Sequence, residues 1–180
     1  MKELITAQLI VKEDFFEGKR VIIDFMDEFD SHDYVLVGNT MKGFFPIVSE
    51  NHESENYKPR KFRFNIGSLN QYILTGEDTV KYVDELMPGD EVLVFGADGK
   101  HRTLHIARIK KEIRPFTRLC ASDGNNTYVV IVQNGSTVAL RTEDGIKAVC
   151  NMSVNDNIMV SEWNKASHLG NVVEEYVEEY

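Results

Sequence analysis

The stretch Lys81-Tyr82-Val83-Asp84-Glu85-Leu86-Met87-Pro88-Gly89-Asp90-Glu91-Val92-Leu93-Val94 reads as a short connection that turns at Gly89 and enters an apolar strand. The same order returns in Lys147-Ala148-Val149-Cys150-Asn151-Met152, followed by Ser153-Val154-Asn155-Asp156-Asn157-Ile158-Met159-Val160. Its second half also appears in Phe16-Glu17-Gly18-Lys19-Arg20-Val21-Ile22-Ile23. Each copy places Gly or Asn, which tolerate positive φ, before a polar pair and a strand. After the two later copies the chain turns back, into 104–109 and 168–173. A strand that hairpins back after a short connection is the unit of small β modules. The recurrence therefore predicts an all-β, mainly antiparallel protein with few short helices. Three barrel-like modules are expected, near 3–48, 66–116 and 127–180, packed within a single β domain over 1–180.

Working outward, runs rich in Val, Ile, Phe and Tyr predict strands at 20–24, 34–37, 44–48, 62–64, 71–74, 91–95, 104–109, 128–132, 137–141 and 157–160. Ala97-Asp98-Gly99-Lys100 and Asp123-Gly124-Asn125-Asn126 read as hairpin turns. At the carboxyl end Val172, Val173, Tyr176, Val177 and Tyr180 fall at helical spacing opposite four glutamates, whereas the repeat places a returning strand there. A strand followed by a frayed acidic tail is the favoured reading.

The chain has 180 residues, 42% of them apolar and 27% charged, and folds without staples at this size. With 29 acids against 20 bases the net charge is −9, which argues against a sequence-independent grip on nucleic acid. Cys120 and Cys150 have no CxxC partner and read as reduced thiols, so a cytoplasmic protein is expected. The amino terminus lacks a signal-peptide core, and no apolar run approaches a membrane span, so neither secretion nor a membrane partner is expected.

Several segments resemble one family. Leu36-Val37-Gly38-Asn39-Thr40, Gly43-Phe44-Phe45, Ser49-Glu50, Arg60-Lys61-Phe62-Arg63-Phe64-Asn65-Ile66-Gly67, Tyr72-Ile73-Leu74 and 82–94 follow the order and spacing of the carboxyl-terminal half of the archaeal-type (class II) 3-dehydroquinate synthases. Gly18-x-Arg20, Lys110, Arg114-Pro115, Gln133-Asn134 with Thr137, and His168-x-Gly170 followed by Glu174 or Glu175 extend the likeness over nearly the whole chain. The resemblance implies a biosynthetic enzyme of a shikimate-like route. Its reaction would be cyclisation, dehydration or amine loss on a seven-carbon amino or keto sugar acid. The family's full chain is about twice this length, with an amino-terminal α/β half that supplies lysines and a nucleotide site. No GxGxxG fingerprint occurs here, so NAD is not supported by this chain alone. The family's pattern also departs at Met26, Val48, Asn70 and Ser167, where it implies Cys, His, His and Arg.

The candidate chemistry gathers in two places. The segment 49–57 holds Glu50, His52 and Glu53, which suit a divalent metal such as Mn or Mg, or acid/base work, although a solvated loop is the plainer reading. Arg60, Arg63 and Asn65 follow on a strand-like segment, where guanidinium pairs suit a small anionic substrate, or ion pairs to the acidic loop. His168 is a candidate general acid or base, as is Glu50, and a structural histidine is the plainer reading. Asp24 either projects into a cleft or closes a turn, and Trp163 reads as a packing residue. Three functions stay open: a shortened synthase, a non-catalytic small subunit that completes a partner chain resembling the family's other half, and a self-associating β scaffold forming a homo-oligomer.

Overall fold

The structure is a computed structural model that describes residues 3–54, 56–163, 166–168, 171–173 and 178–180, with the side chains of 166–168 and 171–173 outside the description. Among the described residues the chain is nearly all strand, and fourteen strands join one mainly antiparallel sheet. β1 (Ile5–Phe25) and β8 (His101–Ser122) are 21 and 22 residues long and pair from Gln8↔Ser122 to Phe25↔Ile106. The register shifts at Leu9/Val11, Asp14/Glu17 and Asp24/Phe25, so the ribbon coils through bulges rather than running flat.

The two ends of this ribbon collect different neighbours. The start of β1 pairs with β12 (Asn157–Glu162), and its end pairs with β4 (Arg63–Ser68). The start of β8 pairs with β7 (Glu91–Phe95), and its end pairs with β9 (Thr127–Gln133). β2 (Tyr34–Gly38), β3 (Gly43–Val48) and β4 are buried along their whole length. β2 and β3 read as continuous apolar runs because both faces are covered, whereas β4 alternates buried polar and apolar residues. Val35, Val37, Phe45, Ile47 and Phe64 form the centre of the main core, and Phe25, Phe29 and Phe64 meet edge to face or tilted within it.

The repeat is physical in its two later copies. β5 (Tyr72–Gly76) hairpins with β6 (Thr79–Tyr82), and β10 (Ala139–Thr142) with β11 (Gly145–Ala148). β6 leads into a single helical turn, Val83–Glu85, and β11 into its counterpart, Val149–Asn151. Gly89 and Asn155 both have positive φ, at 96° and 79°. The Asp90 carboxylate accepts from the Met87 amide and pairs with Lys81, as Asp156 does with Ser153 and Lys147. The first copy departs from this pattern. Gly18 lies inside β1 and makes no turn, because residues 17–20 are held in the ribbon opposite 112–115.

The expected three modules do not close on themselves either. β3 pairs with both β10 and β12, and β1 with β8, β4 and β12, so strands from each region complete the others. The turns at Gly99 and Gly124 form as expected, with positive φ at both. Trp163 is buried and meets Phe44 edge to face, in keeping with its packing role. β13 (Ala166–His168) and β14 (Asn171–Val173) form the returning hairpin, and residues 174–177 lie outside the description.

Candidate functional site

Where β1, β4, β8 and β9 lie side by side, their polar residues and two loops enclose a cleft of about 380 Å³. β1 contributes Arg20, β4 contributes Arg63, and β8 contributes Lys110, Glu112 and Arg114. Gln133 ends β9 and leads into the loop 134–137, while Glu50, Tyr57 and Arg60 come from the loop between β3 and β4. Five cations and two carboxylates face the cleft, an excess of positive charge in a protein whose net charge is −9.

Two carboxylates organise these cations. Asp24 is buried and accepts two bonds from Arg63, at 2.7 Å from Nε and 3.0 Å from Nη2, and two from Arg108. Burial alone would raise its pKa, and the hydrogen bonds from Arg63 and Arg108 reverse that and hold it below the usual carboxylate range. Asp24 therefore closes no turn; it anchors one wall of the cleft. Glu112 accepts from Lys110 at 2.5 Å, from Arg114 at 3.1 Å and from Arg20 through both Nε and Nη2. Bonds from Lys110 and Arg20 hold its carboxyl down at about 2.

A carboxylate depressed in the folded state adds stability above its ordinary pKa of 4.5 and loses it as pH falls toward 2. The melting temperature is expected to fall through this window. In Glu112→Gln the fall is shallower, which thermal scans from pH 5 to pH 2 would read. Equal slopes in the two proteins would show that Glu112 gains nothing from its cations.

Glu50 differs. Its side chain is buried, and this pushes its pKa above 4.5 against the pull of Arg63, Arg60 and Arg20. Its nearest cation contact is Arg60 Nη1 at 3.5 Å. The local backbone fixes it, since its amide donates to Arg63 O and its carbonyl accepts from the Arg60 amide. A buried carboxyl with a raised pKa beside arginines is suited to moving a proton.

The expected site residues separate on this geometry. Glu50, Arg60 and Arg63 converge on the cleft. Arg63, expected to offer an anion a paired grip, has that pair committed to Asp24, which leaves Nη1 for a ligand. Asn65 is 1% exposed and sits behind Gln133, donating to its Oε1 at 3.1 Å, rather than facing the cleft. The metal set Glu50, His52 and Glu53 is not assembled. The His52 ring nitrogens face the carbonyls of Ser49 and Ser136 at 2.9 and 3.3 Å, and no group of three metal-ligating side chains occurs among the described residues. His168 lies in β13, but its side chain is outside the described residues. Sequence reasoning did not single out Arg20, Lys110, Arg114 and Gln133 as site residues, although each lies in a segment that carried the family resemblance. Glu112 had no such signal.

The fold and the cleft define an all-β domain with a cationic, polar pocket. Residues 7–180 match the 3-dehydroquinate synthase II C-terminal domain, and the chain belongs to that family. It is 35% identical over 160 residues to the 3-dehydroquinate synthase of Methanocorpusculum labreanum, covering 89% of this chain and 46% of that one. With the Archaeoglobus fulgidus 3-dehydroquinate synthase it shares 36% identity over 178 residues, 98% of this chain and 55% of the relative. For the Methanopyrus kandleri 3-dehydroquinate synthase the figures are 34% over 181 residues, with 98% and 45% covered. The chain thus spans about half the length of the curated relatives it matches. No solved structure matches it. Among the described residues no helix is long and apolar enough to cross a membrane.

Proposed function

We propose that the chain binds the substrate of a class II synthase-like biosynthetic reaction, a seven-carbon amino or keto sugar acid or a close relative. The observation that carries this reading is the 380 Å³ cleft whose lining five cations share with the buried Glu50. Cations hold the acid group, the amides and hydroxyls of the 133–137 loop suit ligand hydroxyls, and Glu50 takes or gives the proton that a cyclisation, dehydration or amine loss requires. A dinucleotide finds no strand-to-helix turn among the described residues, whose helical segments are single turns, so no step is routed through NAD. No step is routed through a metal either, because the expected ligands do not converge. Titration with quinate, a polyhydroxylated carboxylate, tests the reading. Saturable binding lost on adding competing sulfate supports it, and no binding overturns it.

A second reading keeps the binding role without turnover by this domain alone. The matched C-terminal domain supplies the cleft, and turnover needs a part resembling the relatives' remaining half. Turnover of an amino-keto sugar acid by the purified chain alone would set this second reading aside.

Glu50→Gln separates stability from chemistry. An acid whose pKa is raised on folding stabilises the fold most while neutral, and that stability is lost as pH rises above its ordinary 4.5. The amide mimics the neutral form. The variant is therefore expected to melt higher than wild type at pH 8, with the gap closing toward pH 4, while proton-transfer turnover disappears. A lower melting temperature at pH 8 would show that the ionised carboxylate stabilises the fold through its arginines.

A further inference from the structure

The cations of the cleft are unevenly balanced, and the imbalance gives the cleft a direction. On the β4 side Arg63 and Arg108 share Asp24 and Arg60 pairs with Glu50, so three cations, of which Arg108 lies outside the cleft lining, meet two carboxylates, an excess of one. On the β8 side Arg20, Lys110 and Arg114 share Glu112 alone. Three cations against one carboxylate leave an excess of two charges on that wall. Arg20 is the best held of the three, because its Nη1 also donates to Gln133 Oε1 at 2.5 Å. Lys110 meets Glu112 through one contact, and Arg114 gives one bond to Glu112 and one from Nη1 to the Ile113 carbonyl at 2.7 Å; an ammonium has three donors and a guanidinium five, so both keep donors for a ligand. The Glu112 and Arg20 side chains are only 20% and 11% exposed, which weakens screening of that pair, whereas Lys110 and Arg114, at 49% and 42%, are open to an incoming ligand.

We infer that the oxyanion of the ligand, a carboxylate or a phosphate, docks against Arg20, Lys110 and Arg114, with Glu112 as the positioning residue that keeps the three apart and in register. The uncharged end of the ligand then faces Glu50 across the cleft. This rests on the anion-binding reading above and adds to it a polarity and a role for Glu112. The role runs against simple charge counting. Removing a negative charge from a cationic wall should tighten anion binding, whereas loss of the group that arrays the cations should weaken it. Glu112 remains ionised at assay pH, with its carboxyl held at about 2.

The test is calorimetric titration of the full chain with inorganic phosphate and, separately, with quinate, at one fixed salt concentration. Arg114→Ala and Lys110→Ala are each expected to weaken binding about tenfold, the loss of one charge-assisted bond, and Arg60→Ala less than about twofold. Glu112→Gln is expected to weaken binding at least about threefold. If that variant does not fold, Glu112→Asp, which keeps the charge and retracts the carboxylate, should weaken it as well. Phosphate and quinate responding alike marks a general oxyanion site; a response from one alone identifies the group that docks. Tighter or unchanged binding in the Glu112 variants would overturn the positioning role. A larger loss from Arg60→Ala than from Arg114→Ala would overturn the polarity while leaving the cleft as the binding site. No saturable binding of either probe by wild type would overturn both readings.

Discussion

Asp24→Ala is expected to destabilise the fold by about 3–5 kcal/mol, the cost of breaking a buried, hydrogen-bonded charge pair. Asp24 is 4% exposed and sits in a stretch of β1 that is otherwise apolar. It is the carboxylate to which Arg63 is hydrogen-bonded, and Arg63 is itself 9% exposed. Removing it strands a guanidinium beside Phe62 and the cleft wall, with Glu50 and Glu112 as the remaining opposite charges nearby. Arg108 contributes less, because its side chain is 63% exposed and solvent screens it. For a domain of this length the loss lowers the melting temperature by about 10 °C. Urea denaturation of Asp24→Ala, Arg63→Ala and the double variant would measure it. The double variant should lose less than the sum of the singles, since the second change removes the orphaned charge. Additive losses would show that the two side chains do not act as a pair.

Gly67→Ala is the second large effect. Gly67 has φ of 84°, and a Cβ there would lie 2.3 Å from Gln71 Nε2 and 2.4 Å from the Ile131 carbonyl oxygen. The Gln71 side chain cannot simply move aside. It is fully buried, donates to the Ile66 carbonyl at 3.0 Å and accepts from the Ile131 amide at 2.8 Å, which ties β4 to β9 beneath the cleft. The substitution combines about 1–3 kcal/mol of left-handed backbone strain with unpaired buried groups at about 1–3 kcal/mol each. A total near 4 kcal/mol is expected, with weakened quinate binding because Gln133 follows Ile131 on β9. Gly89→Ala is the control. Its φ is 96° but nothing lies within 4 Å of the added Cβ, so the strain acts alone and the loss is about 1–2 kcal/mol. Similar denaturation midpoints for the two variants would show that the contact with Gln71 relaxes without cost.

How legible the fold was in the sequence depended on burial. Tyr34–Gly38 and Gly43–Val48 are covered on both faces, so their apolar runs stand out from their surroundings. The first fifteen residues of β1, and 110–115 in β8 beyond the legible 104–109, are mostly exposed or half-buried and carry charges, so they have little apolar pattern to betray a strand. Across 13–20 and 112–118 it is their pairing with each other, distant in sequence, that makes them strands. Gly18 misled for the same reason: a residue that often marks a turn lies here within a paired ribbon, with Phe116 packed over it. In the site, Glu50, Arg60 and Arg63 were legible because they cluster in sequence. The bond from Arg63 to Asp24 and the gathering of Arg20, Lys110 and Arg114 on Glu112 depend on strand register, which local spacing does not encode. His52 looked like a ligand by composition, and the direction of its ring nitrogens toward backbone carbonyls is a tertiary fact.

The length of β1 and β8 also bears on how the protein is made. Gln8 cannot meet Ser122, nor Gly18 meet Arg114, until those residues have left the ribosome. At synthesis rates of about 5–20 residues per second, β1 spends roughly 5–20 s as an unpaired nascent edge. That edge carries Phe15 and Phe16, a pair suited to unwanted strand addition between chains. Lys12, Glu13 and Asp14 precede the pair, and Glu17 and Lys19 follow it. In the finished ribbon most of these charges face water, but in the nascent chain they act as gatekeepers against aggregation until the second long strand arrives.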